Sequence, residues 1–206
     1  MSSPAHVPPP AEPRDRILDA AQERLIHYGY HKTTMAEIAE DVGMSAANLY
    51  RYFANKEEIA AECASRCMNE RFERLRRHIA DPRKSAAEKL MAYARELVDD
   101  SHALAGEDSK IGELVATIMR QRPALVHEKL AVHYELIGGI LTGGIARGEL
   151  AVADISSTAR DIYSTLMFFD VPLFVGLFDR TEFEHRVEGI VRLILNGLRP
   201  RNAAQN

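Results

Sequence analysis

The sequence lacks the features that mark membrane proteins, exported proteins and disulfide-rich proteins. No apolar run approaches the roughly 18 residues that a membrane-spanning helix needs. The start of the chain, MSSPAHVPPPAEP, has neither the basic segment nor the apolar segment of a signal peptide. Tryptophan is absent, and the chain contains only two cysteines. We therefore expect a globular, cytoplasmic protein without a membrane span, with a disordered proline-rich arm at residues 1–12.

The two cysteines, Cys63 and Cys67, stand one helical turn apart in a predicted helix. At this spacing the Cβ atoms of an intact helix are poorly directed for a disulfide. Two thiols without nearby histidines also make a weak metal site. We interpret both cysteines as small packing residues, with a redox or thiol-reactive sensor as the alternative, and we expect no metal ion.

Motifs of catalysis are missing as well. The sequence contains no nucleophile elbow, no HExxH or CxxC motif and no paired-carboxylate constellation. Two of the histidines, His127 and His133, share one predicted helix but lie nearly opposite on it, so they cannot chelate together. We interpret the histidines of the second half of the chain, such as these two, as surface or single hydrogen-bonding residues. We expect neither a catalytic site nor a cofactor.

Alternating strand patterns are also absent, and helical periodicity takes their place. Long helices are predicted at 13–28, 56–80, 85–104, 109–120, 123–147, 155–178 and 182–198, with a kink at Pro172. This pattern predicts an all-α fold. Arginines crowd the far half of the 56–80 helix, and we interpret them as a solvated face paired with Glu70 and Glu73: Arg66, Arg71, Arg74, Arg76 and Arg77.

Residues 33–56, TTMAEIAEDVGMSAANLYRYFANK, predict two short helices around a tight turn and the start of a third. Thr34 and Glu37 can form a capping box, Gly43 can end the first helix, and Ser45 can cap the second. The second helix has an apolar inner face and an outer face of small and hydrogen-bonding side chains. Such a helix suits the DNA major groove. A net charge of −4 over the chain indicates only modest non-specific affinity for DNA.

The residues TTMAEIAEDVGMSAANLYRYFANKEEI resemble the helix-turn-helix signature of the TetR/AcrR-type transcriptional regulators. The resemblance covers residues 14–59 and extends to the total length, the ARGEL turn at 146–150 and the closing LILNGLRP run. It implies a three-helix DNA-binding domain at 13–58, a helical domain for effector binding and dimerisation at 59–200, and a flexible tail at 201–206.

The same family pattern places eight residues at or near the duplex: Thr34, Ser45, Ala47, Asn48, Tyr50, Arg51, Tyr52 and Lys56. The chemistry is suitable, because Asn48 can bond bidentately to adenine and Arg51 can pair with guanine or with a phosphate. Tyr50 borders the apolar face of its helix, so half-buried packing is the alternative for it.

Two glycine pairs, Gly138-Gly139 and Gly143-Gly144, interrupt the 123–147 helix. Glycine costs around 1 kcal/mol relative to alanine inside a helix, so four of them need an explanation. Close helix packing or room for a ligand explains them better than phosphate binding, because the spacing matches no phosphate motif.

Nine side chains are candidates for an effector pocket, although each can instead fill the core: Tyr93, Leu97, Met119, His133, Tyr134, Ile137, Leu141, Phe168 and Phe169. They favour an apolar or aromatic molecule over a polyphosphate or nucleotide.

The last two helices carry more apolar surface than one core needs, and the resemblance implies that they pair with a second subunit. Phe174, Ile190 and Ile194 are the candidates for that interface.

We expect a homodimeric transcriptional regulator, a repressor, that binds a palindromic operator and is released by a small, largely apolar ligand. The alternative is a DNA-binding protein of the same build that organises the chromosome or partner proteins without an effector. A sizeable closed pocket in the second domain would favour the regulator, and a filled core the alternative.

Overall fold

The computed structural model describes residues 12–106 and 109–200, which form nine α-helices, one short 3-10 helix and no strand. The elements are α1 (Pro13–His27), α2 (Met35–Asp41), α3 (Ala46–Leu49), α4 (Lys56–Ile79), α5 (Ala86–Leu104), α6 (Ile111–Gln121), α7 (Pro123–Ala146), α8 (Ile155–Asp170), the 3-10 helix (Pro172–Phe174) and α9 (Arg180–Leu198). The all-α prediction is confirmed. The arm predicted at residues 1–12, apart from Glu12, and the tail predicted at 201–206 lie outside the described part of the chain.

The helix-turn-helix region folds as its local signals predict. The Thr34 hydroxyl accepts a hydrogen bond from the Glu37 amide at 3.3 Å, and the Glu37 carboxylate accepts one from the Thr34 amide at 2.9 Å. Gly43 follows α2 with a φ of +70°, a conformation that favours glycine. Ser45 then accepts from the Asn48 amide at 3.2 Å and caps α3. Both predicted caps and the turn between them are present.

Helix α4 runs through two apolar cores. Its first turns add Ile59 and Cys63 to the N-terminal core, which is built around α1, α2 and α3. Its later turns add Phe72 to the C-terminal core of α5, α7, α8 and α9. The N-terminal core also contains Leu114 and Ile118, which α6 supplies from the other half of the chain. Helices α4 and α6 therefore connect the two halves mechanically.

Gly144 marks the closest approach within the C-terminal core. A Cβ atom at this position would lie 2.7 Å from the Cβ atom of Ala86 and 2.7 Å from a methyl group of Leu150. Gly139 is different, because a Cβ atom there would meet nothing within 4 Å. Of these two glycines, Gly144 serves close packing.

The last two helices differ from the predicted ones. Helix α8 ends at Asp170, so the prediction of one kinked helix over 155–178 is wrong beyond that residue. Val171 is extended, as expected for a residue before proline, and Pro172 begins the separate 3-10 helix. Helix α9 begins at Arg180 rather than at 182, because Asp179 caps it by accepting from the Glu182 amide at 2.9 Å.

We found no helix among the described residues with both the length and the apolarity that a bilayer crossing requires.

Candidate DNA-binding surface and ligand cavity

The candidate DNA-binding surface is formed by α3, the turn after it and the residues that begin α2 and α4. Arg51 and Ala47 are exposed, and Tyr50 is 54 % exposed, which favours a surface role for it over packing. Asn48 is half-buried, and its Nδ2 atom lies 3.9 Å from the sulfur of Met44. These four side chains form one face that presents a carboxamide, a guanidinium and a phenol.

Other predicted contacts have structural tasks of their own. The hydroxyls of Thr34 and Ser45 cap α2 and α3, although both residues are exposed. Tyr52 is half-buried, and its carbonyl oxygen accepts from Arg14 at 3.1 Å. Contacts between these residues and a phosphate would set position rather than sequence preference.

Lys56 is the most constrained of the predicted residues. Its ammonium group donates to the carbonyl oxygens of Tyr30 and Thr33, both at 2.8 Å, and lies 4.3 Å from the centre of the Tyr30 ring. The Tyr30 hydroxyl in turn donates to Glu57 at 2.8 Å. Burial and this bond raise the pKa of Tyr30 to about 12. Lys56 thus ties the α1–α2 loop to the start of α4 and has one N–H left for a phosphate.

A cavity of about 210 Å³ lies where α1, α4, α6, α7 and α8 meet. Its walls are mostly apolar and come from all of these helices; those of α1, α4 and α6 include Ile26, Ala64, Met68, Phe72, Ile111, Leu114, Val115, Ile118 and Met119. Helix α6 forms one wall, and two of its cavity-lining residues, Leu114 and Ile118, also belong to the N-terminal core. The void is therefore in direct contact with the helices that support the DNA-binding surface.

The polar end of the cavity is built around Arg71 of α4. Its Nε atom lies 3.0 Å from Asp100, and its guanidinium also contacts Asp170 at the end of α8. The Tyr163 hydroxyl donates to Asp170 as well. Burial raises the pKa of Asp100 and raises that of Tyr163 to about 12. Arg71 is only 11 % exposed, so its assignment to a solvated face is wrong.

His133 completes this polar end. Its ring stacks on Tyr163 with centroids 4.2 Å apart, its Nδ1 atom lies 2.6 Å from the Tyr93 hydroxyl, and its Nε2 atom lies 3.7 Å from Asp170. Burial, and after it the nearby charge of Arg71, lowers the pKa of His133 to about 2. The imidazole is therefore neutral at physiological pH.

Both cysteines line the cavity. Burial raises the pKa of Cys63 to about 12 and also raises that of Cys67. Thiolates are the reactive form of cysteine, so these protonated thiols suit packing better than redox sensing. No set of His, Cys, Asp or Glu side chains within residues 12–106 and 109–200 is grouped to hold a metal ion.

The predicted pocket residues fall into two groups. Met119 and His133 line the cavity. The others lie in or against the C-terminal core: Tyr93, Leu97, Ile137, Leu141 and Phe169 are buried there, and Tyr134 and Phe168 pack on it. The glycine pairs of α7 are also outside the lining. The α4 wall and, apart from His133, the polar end were not predicted from the sequence. The one signal on α4 was Arg71, a charged residue on a helix that is otherwise apolar toward the cavity.

The candidate dimer residues lie on or near α9. Phe174 stacks on Phe168 with ring centroids 4.8 Å apart, and Ile190 and Ile194 pack partly against the C-terminal core. Leu193 on α9, which is not among the residues predicted from the sequence, is 72 % exposed.

Sequence comparison agrees with this architecture over most of the chain. Residues 17–63 match the sequence model of the family described as bacterial regulatory proteins, tetR family. Residues 86–191 match the model described as tetracyclin repressor-like, C-terminal domain. The chain belongs to the TetR family. Members of this family are DNA-binding transcriptional regulators, which are not enzymes.

Relatives within the TetR family include the fatty acid metabolism regulator protein of Bacillus subtilis, which is 29 % identical over 157 residues, 73 % of this chain and 78 % of the relative. The regulator RutR of Escherichia coli is 27 % identical over 202 residues, 90 % of each chain. Among solved structures, FadR from Bacillus subtilis in complex with stearoyl-CoA is similar with a TM-score of 0.64 and 25 % identity, over 89 % of this chain and 98 % of that one. A regulator from Cytophaga hutchinsonii shows the same fold with a TM-score of 0.70 and 21 % identity, over 90 % of this chain and 98 % of its own.

Proposed function

We propose that this TetR-family regulator is a homodimeric repressor whose operator affinity falls when a small, largely apolar molecule occupies the cavity. The observation that carries the proposal is the shared wall: α4 and α6 line the cavity and also supply side chains to the N-terminal core. The cavity also favours this function over a DNA-organising protein without an effector, for which we expected a filled core.

The mechanism follows from the position of α4. A ligand can release DNA only if it binds better to a conformation in which the two DNA-binding modules no longer match the operator. Helix α4 lines the cavity through Ala64, Met68 and Phe72 and begins at Lys56, beside the DNA-binding surface. A small tilt of α4 at the cavity therefore moves α3 relative to the groove.

The test begins with mapping the chromosomal sites that the protein occupies, which supplies the operator and, from adjacent genes, candidate effectors. Val115→Phe should then fill the cavity, because Val115 lines it. The variant should bind the operator within a few fold of the unchanged protein and lose the response to the effector. Ala116→Phe, at the exposed neighbouring position, is the matched control and should respond normally. An effector that releases both variants equally would place its site outside this cavity.

A further inference from the structure

The cations on the cavity wall already have carboxylate partners. The guanidinium of Arg71 contacts both Asp100 and Asp170. The ammonium group of Lys129 lies 3.2 Å from Glu128. A ligand anion at the polar end would therefore lie beside Asp170 and would have to compete with carboxylates that the protein holds in place.

A positively charged ligand at the same end would be repelled by Arg71. Asp170 is already paired with Arg71 and accepts a hydrogen bond from Tyr163. A cation placed against Asp170 would lie next to the guanidinium of Arg71. Burying a charge without its own partner costs several kcal/mol, so a charged head group of either sign is disfavoured here.

Two neutral side chains of the protein, Tyr163 and His133, can still form hydrogen bonds with a ligand at this end. The Tyr163 hydroxyl gives its proton to Asp170, so its oxygen can accept a hydrogen bond. The Nδ1 atom of His133 is engaged with Tyr93, whereas its Nε2 atom is 3.7 Å from Asp170, beyond hydrogen-bond length. A hydroxyl group fits between these partners, because it can donate to the Tyr163 oxygen and accept from the Nε2 atom of His133, which carries the imidazole proton when Nδ1 accepts from Tyr93. A carbonyl group can only accept, so it would bond to the Nε2 atom of His133 alone.

The volume indicates the size of a ligand that the cavity can hold. An apolar cavity of roughly 150 Å³ holds one benzene ring. The 210 Å³ of this cavity therefore has room for a ring with a short chain. We propose that the ligand is an uncharged molecule of about ten non-hydrogen atoms, with an apolar body and one hydroxyl or carbonyl head group at Tyr163 and His133. This inference rests on the proposed ligand-responsive function and specifies the chemistry of its ligand.

The test compares four probes of about ten non-hydrogen atoms that differ in the charge of the head group, together with stearoyl-CoA as a much larger, charged probe. Isothermal titration calorimetry of the full chain without DNA would measure the Kd values of 1-nonanol, 4-propylphenol, octanoate, nonylamine and stearoyl-CoA near neutral pH. At least one neutral probe should bind ten or more times tighter than octanoate and nonylamine. Val115→Phe should abolish that binding, which excludes non-specific partition to the protein surface. A charged probe or stearoyl-CoA that binds as tightly as the best neutral probe, or the absence of any neutral binding, would overturn the proposal.

A second variant tests the charge argument itself. Asp170→Asn removes one of the two carboxylates at Arg71, so the ratio of octanoate affinity to nonanol affinity should rise about tenfold or more. An unchanged ratio in a folded Asp170→Asn protein would show that this charge cluster does not select the head group. If the variant does not fold, the affinities of the five probes for the unchanged protein still show whether the cavity prefers a neutral head group. A neutral ligand that binds tightly without weakening operator binding would refute the proposed function and leave this inference intact. Release of DNA by octanoate alone would refute this inference and support the proposed function.

Discussion

Asn48 is the side chain of α3 best suited to read a base, because its carboxamide both donates and accepts. Asn48→Ala should relax the preference at one operator position by roughly 1–3 kcal/mol and leave binding to random DNA nearly unchanged. Fluorescence anisotropy with single-base operator variants would measure this. Gln121→Ala, which removes an exposed carboxamide elsewhere, should bind like the unchanged protein. Equal losses on operator and random DNA would show that Asn48 supports α3 without reading a base.

His133 gives the protein a defined dependence of stability on pH. Its pKa is about 2 in the folded chain, against an ordinary value of 6.5, so below pH 6.5 the unfolded chain binds a proton that the folded chain does not. The free energy of unfolding must therefore fall as the pH falls, and this contribution is constant above the ordinary pKa. From about pH 7.5 to about pH 5.5 the loss from this group should be about 1.4 kcal/mol.

Urea unfolding at a series of pH values would measure this contribution. His133→Asn should flatten the profile by that amount whatever it does to the absolute stability, and His127→Asn, at an exposed site, should keep the original slope. A profile for His133→Asn that runs parallel to that of the unchanged protein would mean that the buried imidazole binds a proton in the folded state.

Local signals in the sequence were enough to predict the caps at Thr34 and Ser45, because each cap forms within four residues. Arg71 was misassigned for the opposite reason. Its partners Asp100 and Asp170 come from α5 and α8, and nothing near Arg71 in the sequence indicates them. Glu70 and Glu73, the nearby acids, pair with other arginines of α4.

At the scale of elements, the glycines of α7 provide a matched pair. Gly139→Ala adds a methyl group to open space and should stabilise the protein by about 0.5–1 kcal/mol through helix propensity. Gly144→Ala brings a methyl group against Ala86 and should destabilise it by about 1–3 kcal/mol through overpacking. Chemical unfolding of both variants gives the difference directly, and two changes of the same sign would contradict the packing described for α5 and α7.

Helix α6 also contacts the α1–α2 loop. The Glu113 carboxylate occupies the space that a β-carbon of Gly29 would take and accepts from the His31 amide at 3.4 Å, while the Lys110 amide donates to Ile26 at 2.7 Å. Helix α6 therefore provides a second connection between the cavity and the DNA-binding module, in addition to α4.

Glu113→Ala should weaken that connection. Effector binding should stay within about twofold, whereas the effector-induced drop in operator affinity should shrink about fivefold or more, a change within the usual range of coupling energies. Titrating operator binding with and without effector would measure both quantities, with Glu135→Ala, at an exposed position of α7, as the control. An unchanged drop would mean that the Glu113 contact does not contribute to the coupling.

The sequence predicted the existence of the long helices well, because their apolar residues recur with the period of a helix. It predicted a pocket but not the position of the cavity. Helical periodicity shows which face of α7 or α8 is buried, but not whether that face meets another helix or a void. Tyr93 and Leu97 satisfy the same pattern as His133 and Phe72, yet only the latter pair lines the cavity. The position of a void depends on how all the surrounding helices are placed.

For the whole molecule, the exposed Leu193 supports assembly through α9. Leu193→Glu should give monomers at micromolar concentration and remove binding to a palindromic operator, because both half-sites must be occupied at once. Analytical ultracentrifugation would measure the mass, and Thr181→Glu, at an exposed position in the first turn of α9, should leave it unchanged. An unmodified chain that sediments as a monomer would exclude the dimer, and a dimeric Leu193→Glu would move the interface elsewhere.

Leu114 and Ile118 of α6 complete the N-terminal core, so the DNA-reading module is not an independent cassette. A chimaera that grafts residues 12–79 onto the effector-sensing half of another regulator would take its last two core side chains from the new host. Only hosts with apolar residues of similar volume at the matching turns of their own helix should accept the graft. For the same reason, substitutions at these two positions are constrained twice, once by the fold of the DNA-reading module and once by the shape of the cavity that both residues line.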